Sequence, residues 1–331
     1  PRRSSKRASP MDRRAFLQST AALGVAALAA DAEPAPTAHP IVDTHQHLWD
    51  RSRFTLPWLA DAPETLRRNY LPADYREATR GLDVQKAVYM EVDVTPAQKM
   101  AEVDYVVGLG HEQDNPTRGA VVGAVVATDG FADYVRRVAA HKPFVKGMRQ
   151  VLHVPATPAG TCLAAAFVRG IRLLGENGLS FDLCLRPADL GDAIRLSEQA
   201  ADTKFILDHC GNADPRAFRR GAENPAHDPA AWRRSIDGLA RRPNVVCKIS
   251  GLINRFPSGF TADDLAPVVD HCLDAFGPDR VVFGGDWPVC LTGGSYRQWV
   301  EALRQIVSRR PAEDQRKLWA GNARRLYRLD A

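Results

Sequence analysis

A chain of 331 residues, 45% hydrophobic and 25% charged, has room for one large catalytic domain and the balance of a folded globular protein, which excludes a mainly disordered, collagen-like or coiled-coil chain. Most of the formal charge of +5 sits in residues 1–32, where Arg2, Arg3, Lys6, Arg7, Arg13 and Arg14 face only Asp12 and Asp31. The rest is close to neutral with no basic run, so it offers nucleic acid or an anionic membrane no clustered positive field.

In chain order the first element is an address label. Met11-Asp-Arg13-Arg14-Ala-Phe16-Leu17-Gln18 precedes an uncharged stretch over 19–30 and small residues fit for cleavage. This order resembles a secretory signal of the twin-arginine type. Residues 1–32 are expected to be that signal and 33–40, rich in Pro and Ala, a linker, with the protein periplasmic or secreted. The uncharged stretch is shorter than the ~20 residues that span a bilayer, so no stable membrane insertion is expected.

From residue 41 on, eight short runs rich in β-branched residues recur at 41–44, 86–92, 120–126, 144–148, 179–185, 204–208, 244–249 and 280–284. Helical spacing fills the gaps. Leu163, Phe167, Ile171 and Leu174 form one stripe, with Gly178 placed to stop it; Leu265, Val268, Val269, Cys272, Leu273 and Phe276 form another, and Trp299, Leu303, Ile306 and Val307 a third. Weaker patterns lie at 73–82, 97–111, 131–140, 188–202 and 230–241. Eight βα units over 41–331 predict an α/β fold, a (β/α)8 TIM barrel, for which ~250 residues is typical. A doubly wound sheet would need a glycine-rich turn after its first strand, where this chain has Asp43-Thr44-His45-Gln46-His47. The long segment 48–70, with Trp49, Phe54 and Trp58, is placed to cover the barrel mouth. The six cysteines form no C-x-x-C pair and are expected to be free, buried thiols.

Polar residues at strand C-termini mark the active end of such a barrel. His45 and His47 follow the first strand and, two apart, share a face. His209 follows the sixth strand and Asp286 the eighth. Arg149, Lys146, Lys248 and Arg255 are the available cations, with Lys146 and Arg149 on opposite faces of a regular strand. Glu91 and Asp93 end the second strand, as substrate contacts or as loop acids. Trp49 and Trp287 are candidate walls for a sugar ring, with Trp58 expected in the core. No Walker phosphate loop or Gly-x-Ser-x-Gly elbow is present.

Val42-Asp43-Thr44-His45-Gln46-His47, Asp208-His209-Cys210-Gly211 and Gly284-Gly285-Asp286-Trp287-Pro288 resemble the motifs of the amidohydrolase superfamily. The branch they resemble is that of sugar lactonases (fuconolactonase- and rhamnonolactonase-like), to which pyrone dicarboxylate lactonase is related. Lys146-Gly147-Met148-Arg149, Cys247-Lys248-Ile249-Ser250-Gly251-Leu252 and Gly321-Asn322-Ala323 support it. The resemblance implies a hydrolase that opens a small, sugar-derived lactone. Asp286 would be general base to water, His209 would orient the carbonyl and Arg149 would stabilise the oxyanion. Trp287, Trp49, Lys248 and Glu91 would contact substrate. Binuclear members carry a histidine on strand 5; here that strand reads Phe181-Asp182-Leu183-Cys184-Leu185-Arg186, so two metals are not expected. Two versions stay open: a single divalent metal such as zinc on His45, His47 and Asp286, or a metal-free site in which cations do that work. Alternatives are a metal-dependent decarboxylase of the same superfamily and a non-catalytic periplasmic binding barrel. The partner expected is a small-molecule lactone, and the sequence gives no oligomeric state.

Overall fold

The computed structural model describes residues 39–330; the signal and most of the linker read in residues 1–38 lie outside the described residues. Each of the eight runs forms a strand: β1 (Ile41–Gln46), β2 (Val84–Met90), β3 (Thr117–Gly123), β4 (Val145–Val151), β5 (Ser180–Cys184), β6 (Phe205–Leu207), β7 (Val245–Ile249) and β8 (Val281–Phe283). They pair in chain order and all in parallel. The ring closes at its C-terminal rim: Thr44 Oγ1 donates to Phe283 O at 2.7 Å and His47 N to Trp287 O at 2.7 Å. The helices that follow the strands are α1 (Pro72–Ala78), α2 (Lys99–Gly110), α3 (Phe131–Ala139), α4 (Ala165–Glu176), α5 (Leu190–Gln199), α6 (Pro229–Ala240), α7 (Ala262–Phe276) and α8 (Tyr296–Val307). This is a (β/α)8 barrel. Among the described residues no helix is long and apolar enough to cross a membrane.

Local chemistry sets the boundaries. Thr261 and Asp264 form a reciprocal capping box at the start of α7, and Ser295 and Gln298 do the same for α8. All six stripe residues of α7 are buried. The third strand begins and ends three residues earlier than predicted, because the apolar run continues past Gly123 into a loop whose Val126 packs in the core.

The strands alternate faces. Tyr89, Val122, Phe181, Leu207, Cys247 and Phe283 pack outward under the helices, whereas Val42, Val88, Val121, Ile206, Val246 and Val282 point inward. A C-terminal segment absent from the periodicity reading, α9 (Ala312–Arg316), a π-turn (Lys317–Gly321) and α10 (Asn322–Leu326), completes this inner cluster with Ala320, Ala323, Tyr327 and Leu329. Asn322 Nδ2 pins the segment to Val281 O at 2.8 Å. The next inward positions along β5, β6 and β7 are Asp182, Asp208 and Lys248, so an ionic layer lies above the apolar one. The candidate site lies above that.

Candidate active site

The site stands on fully buried charges. Lys248 Nζ lies 2.8 Å from Asp182 Oδ2, 2.9 Å from Asp208 Oδ1 and 3.3 Å from His45 Nδ1, and its side chain is 0% exposed. Burial alone would strip the charge from these groups. Burial does push the Asp182 carboxyl up, to about 7, in spite of Lys248. At Asp208 the upward pull of burial is overcome by Lys248 and then His45, which hold it well below the usual carboxylate range. Lys248 is raised by the two carboxylates against its own desolvation. A fork from Arg149 completes the layer: Nε donates to Glu91 Oε1 at 2.7 Å, Nη1 to Asp208 Oδ2 at 3.2 Å and Nη2 to Glu91 O at 3.0 Å.

Above it, His45 Nε2 and His47 Nε2 are 3.1 Å apart, and each is 3.6 Å from Asp286 Oδ1. Burial, then Lys248 and His209, hold the His45 pKa well below the ordinary imidazole value, so the ring is neutral. Donor-only cations face both ring nitrogens of His45, with Lys248 Nζ 3.3 Å from Nδ1 and Arg149 Nη1 3.4 Å from Nε2. His47 Nδ1 faces the carbonyls of Met90 and Glu91 at 3.0 and 3.1 Å. His209 Nδ1 is 2.9 Å from Ser250 Oγ, and its ring centroid lies 4.4 Å from that of His45. Asn254 Nδ2 donates to Asp286 Oδ2 at 3.4 Å.

The donor set fits a single metal. Ligands at the ~2.0–2.1 Å of a tetrahedral zinc site lie about 3.4 Å apart, and the three edges of the His45–His47–Asp286 triangle match. His45 Nδ1 also lies 3.6 Å from Asp208 Oδ1. His45, His209 and Asp286 also bring donor atoms within 4.8 Å of one another. Strand 5 ends in Cys184, which lies 3.1 Å from His153 Nδ1.

A cavity of about 320 Å³ opens on this cluster and is lined by His47, Arg149, His209 and Asp286 below and by Trp49 and Trp58 at the side. The structure brings His45, His47, Arg149, His209 and Asp286 together at one rim, and it moves three residues from their expected places. Trp287 does not line the cavity: its ring is buried against Tyr70 and Tyr75, because its backbone is bound to β1. Trp58 takes a wall position instead, with Nε1 held by Val92 O at 2.8 Å. Lys248 is beneath the site and pairs with Asp182 and Asp208, out of substrate reach. Glu91 lines the cavity as expected, and its carboxylate also holds Arg149 Nε and the Asp93 N–H, each at 2.7 Å. Lys146 and Arg149 do not simply oppose each other, since the β3–β4 register slips between Val145 and Gly147. Lys146 reaches back to Arg328 O at 3.1 Å while Arg149 joins the site.

Asp43, Asp182, Asp208, Gly251 and Asn254 carry structural roles that were not assigned from sequence. Asp43 Oδ1 accepts from His45 N at 2.9 Å and Gly285 N at 2.7 Å, and Oδ2 from Tyr75 at 2.8 Å and Tyr296 at 3.0 Å. It thereby ties the histidine strand to the loop that carries Asp286. Polar residues at inward positions of otherwise apolar strands were the available signal for Asp182 and Asp208; Asn254 sits in a loop with no such register.

A barrel with histidines on strands 1 and 6 and an aspartate after strand 8 defines a class, and the family comparison agrees. A profile described as "Amidohydrolase" matches residues 42–329. This chain belongs to that family. It is 30% identical over 297 residues to an L-fucono-1,5-lactonase of Burkholderia multivorans, covering 87% of this chain and 96% of the relative. It is 22% identical over 349 residues to an L-rhamnono-gamma-lactonase of Scheffersomyces stipitis, covering 88% and 99%. A crystal structure of an amidohydrolase from Burkholderia multivorans with bound zinc superposes with a TM-score of 0.75 at 26% identity, over 87% of this chain and 99% of that one.

Proposed function

We propose that the protein hydrolyses a small, sugar-derived lactone. The observation that carries this reading is the Asp286 carboxylate, set against two imidazoles and facing the same cavity as the Arg149 guanidinium. Asp286 takes a proton from water as the water oxygen bonds to the ring carbonyl carbon. Charge then develops on the carbonyl oxygen, where Arg149 N–H groups and the His209 ring stabilise it. The ring C–O bond breaks, and Asp286 returns the proton to the departing alkoxide, giving an open hydroxy acid. Trp49 and Trp58 offer a flat apolar wall to the ring, and Arg255, whose Nε has no hydrogen-bond partner among the described residues, faces the substrate space as a spare donor. The names of the two lactonase relatives support the substrate class.

His45, His47 and Asp286 would hold a divalent cation, which when bound supplies a Lewis acid and lowers the pKa of water. The zinc in the related crystal structure supports that version, and the two cations that already lie against His45, Lys248 and Arg149, support the metal-free one. Residues 1–32 are proposed to export the protein, a reading that a folded reporter fused after residue 40 tests by its compartment.

The test of function is a panel of aldonolactones followed by proton release, with chelator and with added zinc, beside aromatic acids followed by carbon dioxide release. Saturable hydrolysis of at least one aldonolactone is expected. Carbon dioxide release without lactone turnover, or sugar-acid binding without turnover of either, would overturn the proposal.

A further inference from the structure

Outside the barrel wall, directly behind His209, three thiols meet. Cys210 follows β6, Cys247 faces outward from β7 and Cys272 comes from α7; one Sγ of each lies within 4.8 Å of the others, and all three residues are 0% exposed. Cys210 Sγ also contacts Lys248 O at 3.8 Å. A single buried thiol is a small hydrophobe. Three from three separate elements, converging on one point, make a soft donor set.

We propose that Cys210, Cys247 and Cys272 form a binding site for a thiophilic divalent cation, distinct from the His45–His47–Asp286 cluster. Thiolates at the ~2.3 Å of a zinc–sulfur bond in a trigonal plane lie about 4 Å apart, so no pair has to close by more than about 1 Å. A buried site selects a neutral complex. Two S–H bonds break and two protons leave to solvent; three metal–sulfur bonds form, two to the thiolates and a third to the sulfur that stays protonated. Sulfur ligands prefer soft cations, which favours cadmium or mercury over magnesium or calcium. The site is also coupled to the one above it. His209, Cys210, Gly211 and Asn212 have φ of 53°, 51°, 70° and 54°, a run that persists only because its surroundings fix it. Cys247 immediately precedes Lys248. Drawing the sulfurs together therefore displaces both His209 and the cation beneath His45.

The experiment titrates the reduced full-length protein with cadmium chloride under anaerobic conditions and reads the thiolate-to-cadmium charge-transfer absorption and the protons released. The charge-transfer band of the wild type is expected to saturate at one cadmium per chain, with two protons released as it grows. Cys272→Ala, which lies outside the catalytic machinery, is expected to lose the band and keep basal turnover; Cys290→Ala is expected to retain the band. Cadmium NMR of the wild type gives a reading that needs no variant, with a resonance in the sulfur-ligand range expected. No charge-transfer band at several equivalents, a band unchanged in Cys272→Ala, or the absence of any cadmium resonance in the sulfur-ligand range would overturn the site. These readouts do not depend on the lactonase reading. Loss of lactone turnover with cadmium, absent in Cys272→Ala, tests the coupling alone.

Discussion

Replacing Asp43 by alanine removes the acceptor for four buried donors at once: the amides of His45 and Gly285 and the hydroxyls of Tyr75 and Tyr296. A buried donor left without a partner costs roughly 1–3 kcal/mol. At the low end of that range the four together cost about 4 kcal/mol, near the upper limit seen for single substitutions. Asp43→Asn is a sharper control. Its amide oxygen keeps the two backbone donors, and its NH2 group donates to the phenol oxygens, so the cost falls to roughly 1 kcal/mol. Because Asp43 joins the strand of His45 to the loop of Asp286, alanine is also expected to lower kcat well beyond its effect on KM. Urea unfolding, read as a midpoint shift at constant slope, measures the stability part, and proton release measures turnover. Equal midpoints for Asp43→Ala and Asp43→Asn, or full activity in the alanine variant, would refute the role given to this carboxylate.

Other expectations follow from the same geometry. Gly251 has φ of 65°, and a methyl group there would lie 2.3 Å from His209 Nδ1 and 2.5 Å from Cγ. Gly251→Ala should therefore displace the His209 ring, cost about 1–2 kcal/mol from the left-handed backbone alone, and lower turnover; retention of the wild-type rate would contradict the placement of His209. Arg149→Lys keeps the charge but cannot reproduce the three-way fork to Glu91 and Asp208, so a folded variant with at least a tenfold loss of kcat/KM is expected by steady-state kinetics. Glu102, buried beside Glu91, has its pKa raised from 4.5 to about 7 by desolvation and then by Glu91. Its folded form binds a proton that the unfolded form releases, so its contribution to stability is full below pH 4.5 and is lost as pH rises through about 7. Glu102→Gln should flatten that decline in urea midpoints measured from pH 5 to 8.

The barrel was readable because each strand and helix imposes its own period. The stripe Leu265, Val268, Val269, Cys272, Leu273 and Phe276 leaves a helix as the only way to bury one face. Strand ends were less exact. Apolar runs such as 120–126 continue beyond the last ladder bond, and nothing in them marks where pairing stops. His45, His47, His209 and Asp286 were legible because strand termini converge at one rim whatever the loops do. Trp287 and Trp58 exchanged roles because that choice depends on loop paths, set by contacts far away in sequence: Trp287 by its bridge to Gln46, Trp58 by its bond to Val92. Lys248 could be placed on the inward face by alternation, but its depth in the barrel, below His45, could not. The slip at Lys146 defeated the alternation argument altogether, since a register shift breaks the period on which it relies.

The central claim is that the carboxylate of Asp286 moves the proton that activates water toward a lactone carbonyl. Its most direct test is kcat for Asp286→Asn on an aldonolactone that the wild type hydrolyses, corrected for spontaneous ring opening. Removal of a general base predicts a loss of roughly 10²–10⁴-fold with the fold intact. A variant that hydrolyses the same lactone at the wild-type rate would contradict the account.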